Sequence, residues 1–559
     1  MTVRRSKFQP PHLAGQRSPE SVTERVVLFS DGYNVAVPSH ELADNESPDM
    51  QNYELFGRGL RKRSGMSSYG AIGGGPSVSD NTGDPAFSAI ATAKDASGLD
   101  WTIIYGSSHS VGGNANASAS SGGAFSRMST NIKISESTGI YRDTTSGFVP
   151  AQGENAIFMA SGVAVDSLAG QRAMDGGTSA NSNFPSYYTL GAPLSSGFTN
   201  IGDFGSFESF GRYVEYFDDR LIFFNMGSSA TAPDITRVRW TSRGNPLDFA
   251  GGGFEDLPSM KGAGTALLSE SDRLVLMSDQ EVWEGVPRRD AFAFDFNPVS
   301  KFIGSPFPQT AAATDIGVIW LGEDLRFRLL KDNTVLKFND NTFSDLQSET
   351  VKAGLDFNHI WADFNEETST YMFWYNTTAG GFTNVGFWLR TDTVKPDPRN
   401  PNLLTGAWMR QISTGNNVPG KGSGKVIGMI GNAVGNVAAA EFDAETTADN
   451  GTDFEAQYTT KAFRVGRPDQ YKMATEVWLD HDSNNATVVS TPTVYSRPNN
   501  ATGYTLEGQF ASFSGAGTQR LPFTGRAGRD LALQIRTSGG MHSILMGLRV
   551  SLRVFSGKF

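Results

Sequence analysis

Histidine is the residue type in this sequence best suited to acid–base or metal chemistry, because the chain contains no cysteine. The histidines are His12, His40, His109, His359, His481 and His542. No two of them have the spacing of metal ligands. The run Asp480-His481-Asp482 could bind a metal or act as an acid–base pair, and a solvated loop at a strand end is the simpler interpretation. The absence of cysteine excludes disulfides and cysteine-based zinc sites.

Paired carboxylates are the second kind of reactive group, and glycoside hydrolysis needs two of them across a cleft. Adjacent carboxylates occur at Asp218–Asp219, Glu323–Asp324 and Glu366–Glu367. Neighbouring residues of a strand point to opposite faces, so these pairs are predicted to be turn or surface residues. The phosphate loop GxxxxGK[ST] and the nucleophile elbow GxSxG are missing. We therefore predict that the chain is not an enzyme and uses no catalytic residue, cofactor or metal.

A basic cluster stands out in a chain whose net charge is −11. Arg58, Arg61, Lys62 and Arg63 lie within six residues. Such a cluster can contact DNA phosphates or an acidic face of a partner protein. The alternative is a solvated turn between two strands. The acidic balance of the whole chain argues against a protein that grips nucleic acid over its entire surface.

Length and composition limit the architecture that must position these residues. The chain has 559 residues, and single cores stop growing near roughly 250–300 residues, which predicts two or three domains. The sequence contains 63 glycines and 38 phenylalanines, a mixture typical of many short strands joined by tight turns. The N-terminal residues lack the apolar region of a secretory signal, and no stretch approaches ~20 apolar residues. We expect synthesis and first folding in a bacterial cytoplasm, without membrane insertion.

Short β runs recur through the middle of the chain at intervals that predict propeller blades. The runs include Arg220–Phe224, Arg273–Met277, Gly317–Leu321 and Thr370–Tyr375. A period of ~40–50 residues is typical of four-stranded blades, each of which buries its faces against its neighbours. Several β-sandwiches with chance spacing are the alternative. The tryptophans expected in the blade cores are Trp240, Trp283, Trp320 and Trp374.

The predicted fold class is all-β: a β-propeller of short antiparallel blades with a C-terminal β-sandwich-like domain. Residues 1–25 are predicted to be an extended N-terminal arm. Residues 26–449 are predicted to form the propeller with inserted Gly/Ser-rich loops, and the nearly low-complexity segment 107–129 is predicted to be a long loop. The cleaner period-2 alternation of residues 450–559 predicts a separate antiparallel β domain; closing blades are the alternative.

Three pieces of the sequence resemble tailed-phage tail-nozzle proteins, the group also called packaged-DNA stabilisation proteins. The first piece lies within Gly32–Gly65. The second piece is Val238–Phe249, with its Gly-Asn-Pro turn, followed by the strand pair of Asp272–Glu284. The third piece is Phe463–Lys472, a Gly-x-Pro turn that ends in lysine. The matching residues of the first piece are Gly32, Asn34, Pro38, Leu42, Asp44, Glu46, Asp49, Asn52, Leu60, Arg63 and Gly65.

The resemblance implies a structural virion protein that forms an oligomeric ring, expected to be a homohexamer, in a phage tail. Such a ring serves as a nozzle or neck channel that retains packaged DNA and conducts it during ejection. The implied partners are other copies of the chain, a portal or adaptor ring, tail fibre or spike proteins, and viral DNA in transit. Two alternatives stay open: a tail hub or adaptor, and a glycan-binding receptor-recognition module of the virion.

Overall fold

The computed structural model describes most of the chain from residue 22 onward. The described residues are 22–27, 29–57, 59–70, 87–94, 100–106, 114–120, 126–133, 144–151, 154–160, 186–189, 199–200, 210–227, 233–245, 247–288, 293–307, 310–342, 344–347, 360–375, 385–413, 420–421, 427–432, 436–443, 448–449, 452–464, 470–483, 491–498, 501, 503–513, 516–522, 527–538 and 543–555.

The chain forms two compact units. One unit, here called the terminal domain, combines Met1–Arg63 with Asp453–Phe559. The other unit, the blade domain, is Ser64–Thr452. The predicted boundary after residue 449 lies within a few residues of the observed one. The predicted start of the propeller at residue 26 differs from the structure, because the strands of residues 22–63 pair with strands of the C-terminal segment.

β-Strands are nearly all of the regular secondary structure of the described residues. The first segment of the terminal domain contains β1 (Val22–Val27), β2 (Gly32–Tyr33), β3 (Glu46–Ser47), β4 (Asp49–Gln51), β5 (Tyr53–Phe56) and β6 (Gly59–Lys62). The blade domain begins with β7 (Gly65–Gly70), β8 (Phe87–Lys94), β9 (Asp100–Gly106), β10 (Asn114–Ser120), β11 (Ser126–Lys133), β12 (Thr144–Ala151), β13 (Glu154–Ala160), β14 (Ser186–Thr189) and β15 (Thr199–Asn200).

The second part of the blade domain is described in more detail. Its strands are β16 (Phe210–Phe217), β17 (Arg220–Gly227), β18 (Pro233–Trp240), β19 (Gly253–Asp256), β20 (Gly264–Glu270), β21 (Arg273–Ser278), β22 (Val282–Pro287), β23 (Phe294–Ser300), β24 (Ala312–Thr314), β25 (Gly317–Leu321), β26 (Phe327–Lys331), β27 (Thr334–Phe338), β28 (Trp361–Asn365), β29 (Thr370–Tyr375), β30 (Val385–Asp397), β31 (Asn400–Ile412), β32 (Gly420–Lys421), β33 (Ile427–Asn432), β34 (Asn436–Asp443) and β35 (Ala448–Asp449).

The C-terminal segment completes the chain. Its strands are β36 (Thr452–Asp453), β37 (Ala456–Thr459), β38 (Tyr471–Ser483), β39 (Thr493–Pro498), β40 (Thr505–Gln509), β41 (Gly517–Pro522), β42 (Leu531–Thr537) and β43 (Ser543–Phe555). A single helical turn spans residues 344–347. Within the described residues, no helix has the length and apolar character needed to cross a bilayer.

The blade domain is built from successive antiparallel meanders of four strands. These are β8–β11, β12–β15, β16–β19, β20–β23, β24–β27 and β28–β31. From β12 onward, the first strand of each meander contacts the first strand of the next, as in β16 with β20 and β20 with β24. This is the arrangement of a β-propeller, in which first strands are innermost and each blade covers its neighbour. The predicted fold class is confirmed.

In the β20–β23 blade, alternating residues of one strand are buried on the two opposite faces of the sheet. Leu274 and Leu276 belong to a core shared with the β16–β19 blade, where Trp240 and Phe224 lie. The alternating residues Val275 and Met277 belong to a core shared with the β24–β27 blade. Successive strand residues point to opposite faces, so one apolar run serves both neighbours.

The four tryptophans predicted to be core residues are buried. Their exposed fractions are 8% for Trp240, 5% for Trp283, and 0% for Trp320 and Trp374. The Trp320 indole N–H donates to the Gly304 carbonyl at 2.9 Å. Bulky aromatics with satisfied polar edges are suited to the spaces between blades.

Tight two-residue turns join strands within the blades. Asp218 and Asp219 connect β16 to β17 with φ values of 50° and 56°. Asp332 and Asn333 connect β26 to β27 with φ values of 46° and 58°. Aspartate and asparagine tolerate this left-handed conformation better than other non-glycine residues. The similar sequences at Arg220 and Arg273 both begin the second strand of a blade.

The ends of the blade domain meet in one sheet of three strands. Strand β7 lies at the start of the blade domain and pairs antiparallel with β34, which lies near its end. Strand β34 also pairs with β33. The Gly/Ser-rich segment 107–129 was predicted to be a long loop, and this is wrong for its described part. Strand β10 pairs with β9 and β11 there, because main-chain hydrogen bonds to flanking strands do not need large side chains.

The terminal domain contains two sheets, each assembled from both segments of its sequence. One has the order β41-β38-β43-β6-β5, with β1 also pairing with β43. In the other, β4, β37, β42, β39 and β40 are neighbours in that order. The predicted C-terminal sandwich therefore includes N-terminal strands. Part of the predicted arm is also in a sheet, since Val22 and Arg25 pair with Arg553 and Val550; residues 1–21 lie outside the described residues.

Candidate functional site

A cavity of about 260 Å³ opens in the terminal domain. Residues from both segments of the domain surround it. Its walls are Pro38, Ser39, His40, Ala462, Arg464, Arg497, Asp530 and Ala532. The first and third sequence pieces that carry the family resemblance therefore contribute to the same cavity.

The turn at Pro38–Glu41 forms one wall. The Glu41 N–H donates to the Pro38 carbonyl at 2.8 Å, which closes the turn. The Ala462 N–H donates to both the Ser39 carbonyl at 3.1 Å and the Ser39 hydroxyl oxygen at 3.0 Å. A main-chain donor on the opposite wall thus fixes the turn, and the Ser39 hydroxyl keeps its own proton for another acceptor.

Buried polar residues of the first piece hold this turn in place. Glu46 is 8% exposed and accepts hydrogen bonds from the Asn34 amide and the Ala43 N–H, both at 2.7 Å. The Lys461 ammonium lies 2.6 Å from a carboxylate oxygen of Asp44 and also donates to a main-chain carbonyl. Charge-assisted hydrogen bonds of this kind are about twice as strong as neutral ones.

Arg464 of the third piece lines the cavity, and the Gly-x-Pro turn of that piece lies outside the described residues. Phe463 makes an isolated bridge to Leu531, and its N–H donates to the Leu531 carbonyl at 2.8 Å. Lys472 and Gly528 exchange two main-chain hydrogen bonds, and the buried Lys472 ammonium donates to the Arg529 carbonyl at 2.6 Å. The lysine that ends the piece therefore braces the loop that carries Asp530.

Gly528 is required by the close approach of a neighbouring strand. A Cβ atom at this position would lie 2.6 Å from the Pro498 Cβ and 2.9 Å from the Asp530 carbonyl oxygen. Any side chain here would push β39 away from the loop, and this would change the wall of the cavity.

Two arginines give the cavity its charge. The Arg464 guanidinium donates to both carboxylate oxygens of Asp530, at 2.9 and 3.4 Å. The Arg497 guanidinium lies over the Tyr504 ring, 4.8 Å from its centroid. Burial raises the pKa of Tyr504, and the nearby Arg497 opposes this rise. Tyr504 is therefore a neutral, planar support for a permanently charged guanidinium.

Two residues of the basic cluster predicted to contact DNA or a partner, Lys62 and Arg63, are buried. Lys62 is 1% exposed and Arg63 is 0% exposed, and both cations lie over the Phe454 ring, at 4.1 and 3.9 Å. Arg61 donates to a Glu54 carboxylate oxygen at 2.7 Å. Arg58 lies outside the described residues. The burial of Lys62 and Arg63 corrects the interpretation of these two as phosphate contacts.

His481 is not a solvated loop residue. It lies in β38 with 5% exposure, and its ring stacks on Phe513 with centroids 3.9 Å apart and planes 7° from parallel. Its neighbour Asp480 accepts from the Arg549 guanidinium at 3.2 Å instead. Across the part of the chain that the structure describes, no cluster of three histidine or carboxylate side chains is arranged to hold a metal ion.

The second piece of the resemblance lies in the blade domain, apart from this cavity in sequence. It forms the connection between β18 and β19, where Asp248 accepts a hydrogen bond from the Gly251 N–H at 2.8 Å. This bond lowers the pKa of the Asp248 carboxyl group. Arg243 extends from the same connection and donates to Asp218 at 2.9 Å. The adjacent carboxylates at 218–219 are turn residues, as predicted.

Sequence reasoning identified the first and third pieces but missed the cavity. Arg497 lies in β39 without any motif around it, and His40 drew attention only as one of the histidines. The one available signal was indirect: Arg464 and Lys472 belong to a piece that was already singled out.

No protein family matches the chain, and no curated protein matches it. Solved structures resemble it at low similarity. PorZ, a surface component of the type-IX secretion system of Porphyromonas gingivalis, has a TM-score of 0.33 and 12% identity over 84% of this chain and 54% of that one. An α-L-arabinanase of Penicillium chrysogenum has a TM-score of 0.31 and 8% identity over 68% and 98%. An exo-β-1,3-galactanase of Phanerochaete chrysosporium has a TM-score of 0.24 and 8% identity, over 87% of this chain and 100% of that one.

These matches correct one prediction made from the sequence. The chain was predicted not to be an enzyme, whereas several of the similar structures are glycoside-cleaving enzymes. That prediction is withdrawn. TM-scores of this size assign no activity to the chain.

Proposed function

We propose that the chain is a structural component of a phage tail, where it forms an oligomeric ring that retains packaged DNA and conducts it during ejection. The observation that carries the proposal is the placement of two sequence pieces resembling nozzle-type proteins. Gly32–Gly65 and Phe463–Lys472 are far apart in sequence, yet residues of both form the walls of one cavity. Chance turn motifs scattered along the chain would have no reason to meet.

The residues of the first piece also act together, which supports the resemblance further. Asn34 and Glu46 bond to each other, Asp49 accepts from the Gln457 amide at 2.8 Å, and the Asn52 amide donates to the Glu455 carbonyl at 2.8 Å. Buried, satisfied polar networks specify one arrangement of the chain. The residues that match the nozzle-type pattern are therefore those that attach the N-terminal segment to the C-terminal one.

The blade domain suits a mechanical role. Its blades share apolar cores on both faces, so a load on one blade is transmitted to the next through close-packed side chains. The acidic chain, with a net charge of −11, is suited to DNA that must slide rather than adhere. We propose the virion tail as its location, and other copies of the chain, a portal or adaptor ring and tail fibre or spike proteins as its partners.

The test is the mass of the purified full-length chain, measured alone and with a portal–adaptor complex, with electron microscopy of the same samples. We expect a ring, near sixfold, either in solution or once the complex is added. A chain that stays monomeric under both conditions and binds or cleaves a surface polysaccharide would contradict the proposal and favour a receptor-recognition module. A ring that binds a long-tail hub instead of the portal–adaptor complex would favour the hub or adaptor alternative.

A further inference from the structure

We infer that the cavity of the terminal domain binds a carboxylate side chain of a second copy of this chain, with Arg497 as its main ligand. The inference rests on the proposed function, since it assigns the cavity to the contact between neighbouring subunits of the ring.

The two arginines of the cavity differ in what satisfies them. Arg464 is neutralised by the bidentate contact with Asp530. Arg497 has no carboxylate within ion-pair distance among the residues that the structure describes, and its guanidinium lies over the Tyr504 ring. A contact with the face of a ring does not use the guanidinium N–H groups as conventional hydrogen-bond donors, so they remain available. Those donors match the two oxygens of a carboxylate.

The charge of the cavity fits a single negative charge. Among the side chains that line the cavity, Arg464 and Arg497 contribute two positive charges and Asp530 contributes one negative charge. Apart from His40, whose Nε2 lies 3.2 Å from the exposed Glu41 carboxylate, the lining therefore carries one net positive charge. One carboxylate cancels that charge. A doubly charged phosphate would leave an excess negative charge beside Asp530, an arrangement that like-charge repulsion disfavours.

The size of the cavity favours a protein group over nucleic acid. Its volume of about 260 Å³ lies below the range of roughly 300–1,000 Å³ that is typical of pockets for drug-sized ligands. One side chain fits such a space. A nucleic-acid phosphate is flanked by sugars on both sides and needs an open groove that follows the strand. The Ser39 hydroxyl offers a further donor at the wall.

The overall charge favours a second copy as the occupant. The chain carries 58 acidic and 47 basic side chains, so a cavity with net positive charge is complementary to the net negative charge of an identical neighbour. A ring closes through heterologous contacts, in which two different surfaces of the same chain meet. The cavity is one of these surfaces, and a carboxylate on the facing surface of the next subunit enters it.

The experiment compares Arg497→Gln with Arg529→Gln by mass photometry of the full-length chain over a dilution series. Arg529 is a matched control, because its guanidinium also lies near a tyrosine ring, 5.9 Å from the centroid of Tyr471, but it does not line the cavity. Each variant loses one positive charge. We expect R497Q to raise the dissociation constant of the ring at least tenfold and R529Q to change it less than twofold.

Each result decides a different question. A ring of R497Q as tight as the wild type would overturn the inference and leave the proposed function standing. A wild-type chain that never assembles, alone or with the portal–adaptor complex, would overturn both. If thermal unfolding shows that R497Q is misfolded, Arg497→Lys takes its place; it keeps the charge but loses the planar fork, so we expect at least threefold weaker assembly. Unchanged assembly of R497K with R497Q misfolded would also reject the carboxylate contact.

Discussion

The blade domain and the terminal domain reach stability by different routes. In the blades, strands adjacent in sequence pair with each other, and apolar residues such as Leu274 and Leu276 supply the cores. In the terminal domain, pairing joins residues from opposite parts of the chain, as between Leu60 and Leu545. The comparison shows that local repetition builds a domain from apolar patterning, whereas joining distant segments relies in addition on specific polar contacts.

The two domains also differ in the burial of their charged side chains. In the terminal domain, Lys62, Arg63 and Lys472 are at most 1% exposed. Burying such groups is costly unless ring faces, carbonyls or carboxylates satisfy them. Phe454, the ring that covers Lys62 and Arg63, belongs to the C-terminal segment, so this contact fixes which residues of the two segments meet. In the blades, the prominent ion pairs are partly exposed, for example Arg237 with Asp256 at 2.6 Å.

The largest expected effect tests the stabilisation of the blades by apolar packing. Trp283 is 5% exposed and packs in the core shared by two blades, and its N–H donates to Glu281 at 2.9 Å. Trp283→Ala removes this packing and leaves the buried Glu281 without that donor. We expect a loss of about 3–5 kcal/mol in the free energy of unfolding, measured by denaturant titration. Trp283→Phe keeps most of the volume and should lose less; equal stability of W283A and wild type would contradict the core assignment.

A substitution of Glu46 tests the stabilisation of the terminal domain by specific polar contacts. Glu46→Ala removes the acceptor of the Asn34 amide and of the Ala43 N–H. We expect a loss of about 2–3 kcal/mol, since hydrogen bonds to charged groups contribute about 1.5–3 kcal/mol each and the site relaxes in part. Hydrogen exchange should report the opening of β4 and β37 before the blades. Glu46→Gln retains one acceptor oxygen and serves as the control; if it is as damaging as E46A, charge rather than hydrogen bonding explains the effect.

A smaller, pH-dependent effect separates ion pairs of the blades from their apolar core. Burial raises the pKa of Asp324, but the charges of Arg328 and Lys337 outweigh it and hold the pKa below its ordinary value. A lowered carboxyl pKa contributes stability above the unfolded-state value of about 3.9, and this contribution disappears as the pH falls through the folded-state value. We expect Asp324→Asn to be less stable than wild type at neutral pH.

The difference between D324N and wild type should vanish in acid, as measured by urea midpoints at neutral and low pH. Asp315→Asn is the control, because Asp315 is an exposed turn residue that makes no ion pair among the described residues. A difference for D324N that persists unchanged at low pH would show that the side chain acts through shape rather than charge.

The smallest effect is expected at the second piece of the family resemblance. Arg243 is 61% exposed and contacts Asp218 at 2.9 Å. Exposed ion pairs contribute roughly 0–1 kcal/mol, so Arg243→Ala should leave the unfolding transition nearly unchanged. A loss comparable to that of E46A would show that this connection is as important to its domain as the Glu46 contacts are to the other.

The blade architecture could be predicted from sequence because its signals are local. Apolar alternation, turn residues such as Asp218 and Asp219, and the spacing of the tryptophans all act within one or two strands. The segment 114–120 was missed because alanine, serine and asparagine carry no strand signal of their own. Its strand character comes from pairing with β9.

The candidate site could not be predicted because it depends on pairing between distant segments. Nothing near Arg497 in the sequence indicates that Ser39 or Asp530 will lie beside it. The basic cluster was misjudged for a related reason: the burial of Lys62 and Arg63 depends on Phe454, which is contributed by the other segment. Charge density in a sequence does not reveal which ring will cover it.

The two-segment construction of the terminal domain has a consequence for synthesis on the ribosome. The N-terminal strands leave the exit tunnel long before their partners in β37, β42 and β43 exist. The blades, whose contacts are local, can form in the meantime, since domains generally fold as units during translation. The unpaired strand edges at residues 22–63 are then exposed to aggregation or to chaperones. A late translational arrest would therefore leave a folded propeller tethered to an unpaired N-terminal segment, so only a completed chain would possess the cavity that we propose receives its neighbour.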